Sequence, residues 1–129
     1  MNSFKKILVI GDRMTGKTQF VNSNKNEDAF VIDDVPIELV YKQMGEYFSD
    51  KYSQSIVVLQ RLPDMPELTD QIDCMVLFQM NKHTLNALLE IYAIPNLIIE
   101  KISSLNKYEY IVWNSYSDEF ILHHNNEVI

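Results

Sequence analysis

The segment Gly11-Asp12-Arg13-Met14-Thr15-Gly16-Lys17-Thr18 constrains this chain more than any other. It is a complete G-x-x-x-x-G-K-[ST] pattern, and it follows the apolar run Ile7-Leu8-Val9-Ile10. A buried strand must end there, a tight turn must form, and a helix must start at once. Two of the chain's three glycines lie in this window. They allow unusual backbone dihedrals and close approach of a ligand. Backbone N–H groups of such a loop point inward and form an anion nest, reinforced by the positive end of the helix dipole. Lys17 is expected to reach the β- and γ-phosphates of a nucleotide, and the Thr18 hydroxyl to ligate Mg²⁺.

The rest of the chain reads as an α/β protein. Strands are expected at Phe4–Ile10, Ala29–Asp33, Ser55–Leu59 and Cys74–Phe78. Helices are expected at Lys17–Asn24, Pro36–Phe48, Lys82–Ile94 and Asn96–Leu105, with Pro36 suited to a first turn and Pro95 as a breaker. Arg61–Asp70, with Pro63 and Pro66, reads as loop, and 108–114 with 119–123 as a terminal antiparallel hairpin. Alternating strands and helices imply a mainly parallel sheet flanked by helices, and 129 residues fit one domain of the phosphate-loop NTPase type.

Ligands of such sheets bind beyond the carboxyl ends of the strands. The glycine loop, Asp33-Asp34 and Gln60 all fall at those ends. Asp33 suits a metal ligand and Asp34 a base for the attacking water; the competing reading of Asp34 is a helix cap. Gln60 suits a contact to the γ-phosphate or to that water. Arg13 and Arg61 are candidate sources of positive charge, with Lys51 as a third. Cys74 lies in an apolar run and reads as a small buried hydrophobe. One cysteine allows no disulfide within the chain and fits a reducing compartment. His83, His123 and His124 read as surface residues. The formal net charge of −7 disfavours non-specific nucleic-acid binding, so any DNA contact needs a local patch. No signal peptide or stretch of membrane-spanning length is present, so no membrane partner is expected.

The order of these features resembles the genome-packaging ATPases of large cytoplasmic DNA viruses, within the FtsK–HerA superfamily. The glycine loop, the strand ending in Asp33-Asp34, the strand ending in Gln60, the proline loop and the closing hairpin carry the likeness. The resemblance implies a minimal or degenerate member. It further implies ATP and Mg²⁺ as cofactors, with Thr18 and Asp33 on the metal, Asp34 and Gln60 as catalytic groups, and the 11–18 loop on the nucleotide. Self-association into a ring that moves DNA, contacts with packaging or host proteins, and a place in the host cytoplasm, in a viral factory, come with it. Thr18 and Asp33 are only 15 positions apart, where such proteins place further elements, and the segment just before the Gln60 strand, Ser49-Asp50-Lys51-Tyr52-Ser53-Gln54, lacks the arginine such proteins carry there. A catalytically impaired remnant acting through protein contacts is therefore the alternative. A small GTPase-like protein is a lesser one: Asn81-Lys82-His83-Thr84 approaches N-K-x-D but has Thr84 where guanine is read, and no D-x-x-G occurs.

Overall fold

The computed structural model describes residues 4–124 and 129. Among these residues six strands form one sheet in the order β2-β3-β1-β4-β5-β6. They are β1 (Lys6–Ile10), β2 (Phe30–Asp33), β3 (Ser55–Leu59), β4 (Cys74–Leu77), β5 (Tyr110–Asn114) and β6 (Glu119–His123). The first four are mutually parallel, and β5 and β6 add the expected antiparallel hairpin. Four α-helices among the described residues flank the sheet: α1 (Lys17–Asn24), α2 (Ile37–Tyr47), α3 (Lys82–Tyr92) and α4 (Asn96–Ser103).

Burial explains why the apolar runs became strands. β1 lies between β3 and β4, with Ile7 facing Ile56 and Cys74 across the two ladders. A central parallel strand is covered on both faces, so it must be apolar throughout. Alternate residues divide between two cores. Leu8, Ile10, Val57, Leu59, Met75 and Leu77 face α2, α3 and α4. Ile7, Val9, Ile56, Val58, Cys74 and Val76 face α1, whose Phe20 and Val21 supply its buried residues on that side. Cys74 is fully buried, and burial pushes its thiol pKa up, so it is the expected small hydrophobe.

Polar side chains fix the ends. The Asp73 carboxylate accepts the Lys5 and Lys6 N–H groups at 2.7 and 3.0 Å and pins the start of β1. Gln54, fully buried, accepts the Asn26 N–H at 2.7 Å and donates to the Phe4 carbonyl at 3.3 Å. Asn24 is the last residue of α1, as the sequence leads one to expect; it is buried and accepts the Ile129 N–H at 3.1 Å.

The expected loop between β3 and β4 contains a short 3-10 helix at Pro66–Asp70. Pro66 opens it, as proline can at a first turn, and Leu68 is buried. The Tyr92 hydroxyl ties this connection to α3 by donating to the carbonyls of Pro63 (2.7 Å) and Met65 (3.1 Å). Helix α3 stops at Tyr92 rather than Ile94, because Ala93 turns left-handed at φ 55°. His123 is not a plain surface residue: its ring stacks on Tyr110 at 5.1 Å. His124 approaches the Glu109 carboxylate at 2.7 Å.

Candidate functional site

The glycine loop joins β1 to α1 and is tied on every side by backbone. Gly11 N–H donates to the Leu59 carbonyl (3.3 Å) and Asp12 N–H to that of Gln79 (2.9 Å). The buried Thr15 hydroxyl donates to the Asp12 carbonyl at 2.8 Å and closes the loop on itself. The two glycines serve different needs. A Cβ on Gly11 would lie 2.6 Å from the Phe78 Cβ, so Gly11 is there for close packing. Gly16 has φ 112° and stands at the cap position of α1. The second left-handed residue is Met14 at φ 59°, so the dihedral freedom expected of Gly11 is supplied by Met14. Gly16 has no side chain to cap with, and among the described residues no side-chain cap hydrogen bond is made at the start of α1.

Strand order then gathers the site. β1 is next to β3, and β3 next to β2, with Ile10 level with Leu59 and Asp33 level with Val58. The carboxyl ends of three adjacent strands therefore present the glycine loop, Gln60 and Asp33-Asp34 along one edge. They line a cleft of about 290 Å³ with Arg13, Met14, Lys17, Thr18, Asp33, Asp34 and Gln60 on its walls. Gly11, Asp12 and Thr15 lie behind this surface as the loop's frame. Arg61 does not line the cleft; it borders an adjoining hollow with Asp34, Pro36 and Gln60.

Lys17 is half-buried, and its ammonium donates to the Gly11 carbonyl. Burial lowers its pKa from the usual lysine value, while the carboxylates of Asp33, Asp12 and Asp34 oppose that shift. The Lys17 ammonium thus stands among three acids, and a bound polyanion would draw it toward itself. Asp34 has φ 59°, a left-handed conformation that Asp tolerates better than most residues, and its N–H donates to the Val58 carbonyl at 3.2 Å. It does not cap α2. That helix begins at Ile37 with Pro36 at the cap, and no side chain caps it. The cap reading of Asp34 fails, and Pro36 lies just before the helix rather than in its first turn.

Among the described residues, no group of three or more His, Cys, Asp or Glu side chains is arranged to hold a metal ion. Thr18 and Asp33 nevertheless offer hard oxygen donors in one cleft. Mg²⁺ commonly takes one or two carboxylates and completes its shell with water and substrate phosphates, so this sparse set fits it. Lys51 is remote: it precedes β3, at the amino end of the sheet, and pairs with Glu46. The Asn81–Thr84 stretch is a helix cap. Asn81 Oδ1 accepts the Thr84 N–H at 3.0 Å and the Thr84 hydroxyl at 3.3 Å. That occupies the residues the GTPase-like reading would need.

Sequence reasoning missed Tyr108. Its N–H donates to the Thr15 carbonyl at 2.9 Å, and a Cβ on Gly16 would meet its ring at 2.8 Å. No local pattern marks a residue that reaches the loop from the far side of the chain.

No protein-family profile matches this chain, and no curated protein matches it. Solved structures do. The genome-packaging NTPase B204 from Sulfolobus turreted icosahedral virus 2, in complex with AMPPCP, is 14% identical. It aligns over 100% of both chains with a TM-score of 0.65. The fold is that of a viral genome-packaging NTPase. The same protein with ATP-gammaS is 12% identical over 95% of this chain and 98% of that one, TM-score 0.63. The DNA-packaging ATPase B204 from Sulfolobus turreted icosahedral virus is also 12% identical, over 95% and 97%, TM-score 0.60. At such identities the shared property is the fold, and the chemistry has to be argued from this chain's residues.

Proposed function

We propose that this chain is an ATP-binding, Mg²⁺-dependent NTPase of the packaging type, within the FtsK–HerA superfamily. The observation that carries the reading is the single cleft that brings Lys17, Thr18, Asp33, Asp34 and Gln60 to one edge of the sheet. Every one of these has a job in phosphoryl transfer to water, and they come from three separate segments.

The 11–18 loop and the first turn of α1 hold the phosphates through N–H groups and the Lys17 ammonium. Thr18 and Asp33 would hold Mg²⁺, which when bound neutralises charge on the β- and γ-phosphate oxygens. Asp34 accepts a proton from the attacking water as its oxygen bonds to the γ-phosphorus. The bond from that phosphorus to the β-bridging oxygen breaks, and ADP leaves with the electron pair. Gln60 orients the water or the γ-phosphate from the strand between the loop and Asp33. The left-handed Asp34 backbone supports a role in which its position is held against local preference.

Transition-state charge needs another cation. Arg13 and Arg61 are both exposed, which suits residues that act on a neighbouring copy in a ring. A supplied arginine is worth roughly 10³–10⁵ in rate in comparable enzymes. The same exposure favours one second reading: a remnant that retains the nucleotide site and works through packaging or host proteins. Phosphate release over a protein dilution series, with and without Mg²⁺ and DNA, separates the two. The motor reading expects specific activity that rises with protein concentration and is lost in Arg61→Ala without loss of nucleotide affinity. Release no greater than that of Lys17→Ala at every concentration favours the remnant.

A further inference from the structure

A second cavity opens on the other side of the glycine loop. It measures about 620 Å³ and is walled by Met14, Gln19, Asn22, Ser23, Lys107 and Tyr108. Lys17 and Thr18 line both this cavity and the acid-lined cleft. The loop is thus a ridge between two hollows. One is lined with the groups that act on a terminal phosphate. The other holds no carboxylate and offers an aromatic ring, amides, a hydroxyl and a thioether.

We infer that this second cavity is the nucleoside subsite, with the base of a nucleoside triphosphate stacked on Tyr108. The inference rests on the phosphate-site reading above and gives the nucleotide a direction. With the γ-phosphate beside Asp33 and Gln60, a chain of phosphates crossing Lys17 and Thr18 must deliver its ribose and base to the Tyr108 side. A base is flat and apolar on its faces and polar at its edges. Tyr108 and Met14 match the faces, and the Gln19 and Asn22 amides match the edges.

The position of Tyr108 is imposed rather than free. Its backbone stands at φ 73°, a genuine outlier for an aromatic residue, and its N–H bond to Thr15 holds it there. The ring lies against Gly16, at the glycine whose missing side chain makes that contact possible. Lys107 places its ammonium 5.0 Å from the Tyr108 ring centroid, adding a positive charge to the cavity beyond Lys17. The loop that binds phosphate and the ring that would bind the base are therefore one rigid unit.

Tripolyphosphate separates the two subsites, because it has the phosphates of ATP and no base. Calorimetric titrations of the full chain with ATP, GTP and tripolyphosphate, each with Mg²⁺, form the test. Tyr108→Ala should weaken ATP and GTP about tenfold, as loss of a stacked aromatic does, and leave tripolyphosphate within about twofold. Tyr108→Phe should keep wild-type affinity for all three, since it keeps the ring. Unchanged ATP affinity in Tyr108→Ala would overturn the inference, as would an equal loss of ATP and tripolyphosphate, which would make the ring a brace for the loop. Tripolyphosphate binding that is absent from the wild-type chain, or unaltered by Lys17→Ala, overturns the phosphate-site reading and this inference with it.

Discussion

At the scale of single residues, Asp34 and Lys17 are the groups whose surroundings ask for a functional explanation. Asp34 is left-handed, exposed and does not cap α2. Asparagine tolerates that backbone as well as aspartate does but cannot take a proton from water. Asp34→Asn should therefore leave the melting temperature and nucleotide affinity nearly unchanged and reduce phosphate release at least about 100-fold. A lowered melting temperature with hydrolysis intact would assign Asp34 to structure. Lys17 makes a prediction about pH. Burial lowers its pKa from the ordinary 10.5, and phosphate binds the protonated form. Tripolyphosphate affinity should accordingly fall as pH rises, starting below 10.5, and titrations of Lys17→Ala should lack this step. Both residues were legible in sequence because a motif or a strand end marks them. Tyr108 was not, since it meets the loop at Gly16, which is far from it along the chain. The helix-cap reading of Asp34 failed because Val35 and Pro36 intervene before α2 starts.

At the scale of elements, the strands were legible because β1, β3 and β4 are covered on both faces and so are apolar after the first residues Lys6 and Ser55 of β1 and β3. The 3-10 helix was hidden because a five-residue turn with one buried leucine has no period to read. The glycines offer a matched pair of stability tests. Gly45 lies in α2 with nothing within 4 Å of an added Cβ, so Gly45→Ala should stabilise the protein by about 0.5–1 kcal/mol. Gly11→Ala forces a methyl to within 2.6 Å of the Phe78 Cβ. It should cost about 1–3 kcal/mol, because neither the loop nor β4 can move independently. Thermal melts of the two variants check both signs. If Gly11→Ala melts with the wild type, the loop is less firmly packed against the sheet than these contacts imply.

At the scale of the whole molecule, the sheet order explains how a short chain assembles a site from scattered segments. The strand ending in Gln60 lies between those ending in the glycine loop and in Asp33, so three polar termini converge without any long connection. The short span from Thr18 to Asp33 has a visible consequence: among the described residues α1 is the one helix on its face of the sheet, with Phe4 and Ile129 packed beside it, while α2, α3 and α4 share the other. Sequence could show that shortness but not which face it thins, because strand order depends on pairing between distant segments. No helix among the described residues is long and apolar enough to cross a membrane. The central claim is that the loop at 11–18 binds the phosphates of a nucleotide, and calorimetric titration of ATP with Mg²⁺ into the wild-type chain and Lys17→Ala tests it most directly. The account predicts saturable one-to-one binding that the substitution weakens at least tenfold, from loss of a charge-assisted contact of about 1.5–3 kcal/mol. Absence of binding to the wild-type chain, or equal affinity in a folded Lys17→Ala variant, would contradict it.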